Sequence, residues 1–137
     1  MAFTQSCYIT KNTVELRNQL ENLGYKYGGR ERNSNLLPSI YCHEGTYYEC
    51  MQKPPRDHSI VDCGTHEELF LAIASLRNDT AKNQWFICKE EYIGTHHMEL
   101  IKVGTFVLCV HDKLSYSLNK LWKKATVKEL QTHFLGK

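Results

Sequence analysis

The sequence predicts an α+β fold: one mixed or antiparallel sheet of about five strands with about three helices packed on it. Three observations carry that prediction. First, three segments pair a capping residue with a glutamate three positions later: Asn12 with Glu15, Thr65 with Glu68, and Thr126 with Glu129. At this spacing the two side chains satisfy each other's free backbone N–H groups at a helix start. Second, short runs rich in β-branched and aromatic residues lie between these helix signals, and two of them flank the tight-turn dipeptide Glu44-Gly45. Third, a length of 137 residues with 42% hydrophobic and 23% charged residues matches one compact domain spanning 1–137, and excludes a disordered or collagen-like chain.

Each element follows from its local pattern. Cys7, Tyr8 and Ile9 form a strand leading into a first helix whose apolar residues Leu16, Leu20 and Leu23 share one face, with Gly24 as its stop. Residues 40–43 and 46–50 read as a hairpin around Glu44-Gly45. Residues 59–62 form a strand before a second helix built on Leu69, Ile73 and Leu76. Residues 84–88 read as a strand, and 98–101 with 105–110 as a second hairpin turning near Val103 and Gly104. A third helix on Val127, Leu130 and Phe134 closes the chain. Segments 27–38, 52–58 and 112–123 carry weak signals, and the three cap phrases recur at no fixed period, which excludes a solenoid.

Charge and cysteine usage narrow the function classes. The formal net charge is +2, too small to mark a nucleic-acid protein by bulk electrostatics, although residues 1–70 carry net −2 and residues 71–137 net +4. No apolar run approaches the length of a membrane span, and residues 1–5 have neither a basic n-region nor an apolar h-region. The expected setting is therefore the cytoplasm, with the six cysteines reduced and mostly buried.

Four constellations are candidates for chemistry. Cys42, His43, Cys50, His58, Cys63 and His66 lie within twenty-five residues, and thiolate plus imidazole suits zinc. Only Cys63 and His66 are closely spaced, whereas structural zinc sites bring two close pairs. No metal and no cofactor are therefore assigned, and zinc on Cys42, Cys50, Cys63 and His66 stays an open question. Nucleophilic catalysis has no local signature, as there is no Cys-x-x-Cys and no nucleophile elbow, so the chain reads as non-catalytic.

The loop from Lys26 through Arg30 and Arg32 combines three cations with Gly28 and Gly29 and suits a phosphate, although it follows a helix instead of preceding one. Tyr47 and Tyr48 are adjacent on a strand, so one of them must face outward, where with Trp85 it offers a stacking surface. Lastly, Lys120, Lys123 and Lys124 surround Trp122, a pattern that single-stranded nucleic acid uses, although no arginine accompanies them.

The phrases 12–16 ending in Leu23-Gly24-Tyr25, 62–65 through 74–80, 82–86, and 124–130 with His133 and Phe134 resemble small uncharacterised proteins of gut Bacteroidales and their phages. The resemblance implies an accessory protein of a phage or mobile element, and raises the weight of binding over catalysis. The expected function is capture of a phosphate-bearing small ligand, such as a nucleotide signal, by Lys26, Arg30 and Arg32 with Tyr47, Tyr48 or Trp85, with a second copy of the chain, in a homo-oligomer, among the candidate partners. The alternatives are an interaction module docking on a host or phage protein, and nucleic-acid binding through Lys120, Trp122, Lys123 and Lys124.

Overall fold

Where the backbone hydrogen bonds of each strand go decides the architecture, and in the computed structural model they build a mixed sheet with helices on one side. The structure describes residues 3–28, 37–51, 60–93, 100–109 and 121–136. The main sheet has the order β2-β4-β3-β1-β5, formed by β1 (Ser6–Ile9), β2 (Lys26–Tyr27), β3 (Ser39–His43), β4 (Thr46–Cys50) and β5 (Ile60–Asp62). β3 runs antiparallel to β1 and β4, while β5 lies parallel to β1 and β2 parallel to β4. The expected α+β class with a five-stranded mixed sheet is what the chain adopts.

The hairpin sits where expected. Tyr41 pairs with Tyr48, Cys42 with Tyr47 and His43 with Thr46, leaving Glu44 and Gly45 as a two-residue loop. Both loop residues have positive φ, 48° and 84°, the backbone that a tight hairpin of matching twist requires. Strand alternation then divides the side chains. Cys7, Ile9, Ile40, Cys42 and Tyr47 are fully buried against the helices, whereas Tyr41, His43 and Tyr48 take the other face.

Three helices are described: α1 (Val14–Leu23), α2 (Glu67–Ala74) and α3 (Val127–Leu135). Two start one residue later than their sequence signals. The α1 cap is Thr13, whose hydroxyl accepts from Leu16 N–H at 3.1 Å; the Asn12 NH2 group donates to the Leu37 carbonyl and the Glu49 carboxylate, which fixes the amide with its Oδ1, the atom that would cap, making no hydrogen bond among the described residues. The α2 cap is His66, whose Nδ1 accepts from Leu69 N–H at 3.1 Å, after a turn in which His66 N–H reaches the Cys63 carbonyl. In both cases tertiary and turn hydrogen bonds displace the cap by one position.

The α3 capping box is formed as expected: Thr126 Oγ1 accepts from Glu129 N–H and Glu129 Oε1 from Thr126 N–H. Thr126→Ala is expected to cost about 0.5–2 kcal/mol in urea denaturation. A Lys123 hydrogen bond and the Thr126 N–H hold the Glu129 carboxyl below the usual glutamate range. Its contribution to stability is thus present above the unfolded-state value and is lost as pH falls through the lower folded value. The stability gap between the native chain and Glu129→Gln should shrink as pH drops from 7 toward 3; a constant gap would contradict this assignment.

The second expected hairpin is corrected. β8 (Leu100–Ile101) pairs with β7 (Tyr92–Ile93), and β9 (Phe106–Leu108) pairs with β6 (Trp85–Cys88), which β10 (Trp122–Lys124) flanks on its other side. The chain does turn at Gly104, but Gly104 N–H bonds the Cys88 carbonyl, which draws the following strand onto β6. Apolar burial explains the preference. Phe86 and Cys88 join Cys109 and Trp122 in a small core, while Ile87 on the opposite face joins the main core with Phe70, Ile73 and Leu130. Residues from the main sheet, from the second sheet of order β10-β6-β9 and from the three described helices thus share one main core.

All six cysteines are free thiols; five are buried and Cys50 is half-buried. Burial, the largest influence, pushes the Cys7 and Cys63 thiols up, which suits small core residues and opposes thiolate formation.

Candidate functional site

The face of the main sheet opposite the described helices gathers the side chains with chemistry to offer. Lys26 lies opposite Thr46, Thr46 opposite His43, and His43 beside Ser6, so these residues form one row across β2, β4, β3 and β1. The next row holds Tyr8, Tyr41 and Tyr48, ending at Gly28, whose N–H bonds the Tyr47 carbonyl at 2.9 Å. The Tyr41 and Tyr48 rings lie 6.1 Å apart at 24°, and the Tyr41 and His43 rings 5.9 Å apart at 16°. They make an offset-parallel aromatic platform. Tyr48 is 39% exposed, while Tyr8 is buried with its phenol on Ser39 Oγ at 2.8 Å, so the platform is open at the β4 side.

Gly28 is required where it stands. A Cβ there would overlap the edge of the Tyr48 ring and come within 2.7 Å of Thr46 Cγ2. The backbone can approach Tyr48 this closely only without a side chain.

At the other end of the face, Ser6 Oγ and His43 Nδ1 are 2.6 Å apart, and His43 Nε2 stands 3.8 Å from Glu44 Oε2. The serine–histidine–glutamate order resembles a nucleophile relay in composition only. The carboxylate is 66% exposed and beyond hydrogen-bond range, so it neither fixes the imidazole nor supports a buried imidazolium. This is a solvated hydrogen-bonded pair at the rim of a hollow of about 260 Å³.

The expected ligand residues are divided by the fold. Lys26 and Tyr48 are brought to one face, with Lys26 at its edge. Tyr47 is corrected: it is fully buried on the helix side, its phenol donating to Glu21 of α1, and it offers no face to a ligand. Trp85 is also corrected. It sits on the second sheet against Phe134, ring centroids 5.4 Å apart at 83°, and lines a cleft of about 320 Å³ on the helix side. Arg30 and Arg32 lie outside the described residues.

The expected nucleic-acid segment loses its stacking ring. Trp122 is 9% exposed, edge-on to Tyr92, with its indole N–H donating to the Tyr92 phenol at 3.0 Å. Lys123 pairs with Glu129 at 2.8 Å, and Lys124 donates to the Arg77 carbonyl; Lys120 lies outside the described residues. Of the zinc candidates, Cys42 is buried on the helix side of β3 and His66 Nδ1 is engaged at the α2 cap. Among the described residues, no three histidine, cysteine, aspartate or glutamate side chains converge as a metal-binding group.

Sequence reasoning did not single out Tyr41 and His43 as partners of Tyr48. The signal was present, since a two-residue loop at 44–45 places 41, 43, 46 and 48 on one face. No such signal existed for Lys26, whose strand reaches this face through a parallel pairing with β4, nor for the cleft, whose walls come from five elements. Among the described residues, no helix is long and apolar enough to cross a membrane. Comparison with known proteins finds no family model, no curated protein and no solved structure that matches the chain.

Proposed function

We propose that the open face of the main sheet is a non-catalytic capture site for a small nucleotide-like ligand, its flat ring laid on Tyr48 and Tyr41 and its phosphate directed to Lys26. The observation that carries this reading is the outward aromatic pair sharing a sheet face with an exposed lysine. Stacking of a base on an aromatic side chain contributes about 1–3 kcal/mol. One lysine adds a salt-sensitive attraction for phosphate. Arg30 and Arg32 follow Lys26 in the chain and in this reading add further positive charge.

Three probes separate the contributions: adenosine, adenosine monophosphate and ribose 5-phosphate, titrated calorimetrically. Tyr48→Ala is expected to weaken adenosine and adenosine monophosphate about tenfold. Lys26→Ala should weaken only the two phosphates, and the wild-type affinity for them should fall with added salt. If neither substitution alters any of the three affinities, the reading is wrong.

A further inference from the structure

We infer that the cleft on the opposite, helix side of the sheet is a second and separate site, built for a small flat aromatic amine in its protonated form. It is a concave space of about 320 Å³ where α1, α2, α3 and the second sheet meet, a volume at the lower end of small-molecule sites. Leu23 and Leu71 supply aliphatic wall, and Trp85 and Phe134 supply aromatic wall, the two rings packed edge to face. That lining fits a flat apolar body.

The polar groups at the cleft decide the charge and edge chemistry of the occupant. Glu68, exposed in the first turn of α2, is the sole ionisable side chain among the described lining residues. The salt bridge to Lys11 is made by its neighbour Glu67 instead. An anion placed here would meet a carboxylate with no cation among the described lining residues to offset it. An ammonium would be attracted by that carboxylate, and the same lining holds an indole, the ring whose face binds cations best. The cleft therefore selects against the phosphate that Lys26 suits on the far side of the sheet.

Asn83 adds a second, independent pointer. It is one of two non-glycine residues with positive φ among the described residues, at 65°. The conformation is held by its own backbone: its N–H donates to the Cys109 carbonyl at 2.8 Å and its carbonyl accepts from Ser75 Oγ at 2.9 Å. Its side-chain amide makes no hydrogen bond among the described residues, and it lines the cleft with the amides of Gln19 and Asn22, which make none among them either. Asparagine adopts the left-handed conformation readily, and here the backbone clamp fixes its amide at the cleft. Such amides offer both donors and acceptors to the ring edge or amino group of a bound amine.

Phenethylammonium, phenethyl alcohol and phenylacetate test the inference, as they share a ring and differ in charge. The readout is the Trp85 indole N–H resonance, assigned with a Trp122→Phe variant, followed as each compound is added to the full chain. Phenethylammonium should shift this resonance saturably, and should bind about three- to tenfold more tightly than the alcohol, with phenylacetate weakest. Glu68→Gln, at an exposed position, should bring the cation to the affinity of the alcohol and leave the alcohol unchanged. Ala72→Leu, which fills the wall of the cleft, should abolish the shift by all three. Equal binding of the acetate, an unchanged cation preference in Glu68→Gln, or no saturable shift of Trp85 would overturn the inference. Adenosine monophosphate binding on the far face is read separately by Tyr48→Ala, so failure at one site is distinguishable from failure at the other.

Discussion

Glu49→Ala is expected to destabilise the protein by about 3–5 kcal/mol, among the largest effects of a single substitution in this chain. The side chains of Arg17 and Glu49 are 1% and 0% exposed, and their charged atoms stand 3.4 Å apart between α1 and β4. Glu49 also accepts from the Asn12 amide at 2.7 Å, and Arg17 Nε donates to the Thr13 carbonyl at 3.3 Å. The ion pair is therefore part of the same set of hydrogen bonds that moves the α1 cap from Asn12 to Thr13. Truncating Glu49 strands a guanidinium in a dry position without its carboxylate, and leaves the Asn12 amide short of an acceptor.

The double substitution Arg17→Met with Glu49→Leu should be less destabilising than the two single changes added together, because it removes both charges at once. Urea denaturation of the three variants checks this. A loss below about 1 kcal/mol for Glu49→Ala would show that the pair is not desolvated as described.

Gly28→Ala is expected to reduce binding of adenosine monophosphate at least as much as Tyr48→Ala, about tenfold or more. The added methyl would overlap the Tyr48 ring edge and press on Thr46 Cγ2 at 2.7 Å. Backbone on the β2 side is tied by the Gly28 N–H to the Tyr47 carbonyl, so the exposed ring is the part that yields. It would swing off Tyr41 and the platform would lose its flat surface. The accompanying stability loss should be about 1–3 kcal/mol, as for other overpacked positions. Altered ring resonances of Tyr41 and Tyr48 together with weakened binding would support the platform; full affinity with a displaced ring would remove it.

The candidate site was half legible. Tyr48 could be marked as a potential outward aromatic because adjacent strand residues take opposite faces, and Lys26 because it stands with glycines and arginines. What local pattern could not supply was company. Tyr47 looks like Tyr48 in sequence, yet the register Cys42↔Tyr47 turns it toward α1, where it is fully buried. Trp85 and Trp122 are both aromatic residues beside polar neighbours in the chain. One lines a cleft and the other closes a small core, and the difference lies in which strands pair with β6.

The sequence by itself determined the secondary-structure inventory of the first half of the chain apart from β2, which it read as loop, together with the α3 capping box, the Glu44-Gly45 hairpin and the burial of most thiols. Each of these rests on interactions between residues a few positions apart, or on a two-residue alternation that any half-buried strand obeys. Only the tertiary structure decided the parallel placement of β2, the pairing of β9 with β6 instead of β8, and the caps at Thr13 and His66. Those choices depend on which distant apolar faces bury together and which distant polar groups are already satisfied. Asn12 shows the reason in one residue: its spacing suits a helix cap, but its NH2 group donates to a buried carboxylate on a strand 37 positions away, which orients the amide so that its Oδ1 caps nothing among the described residues.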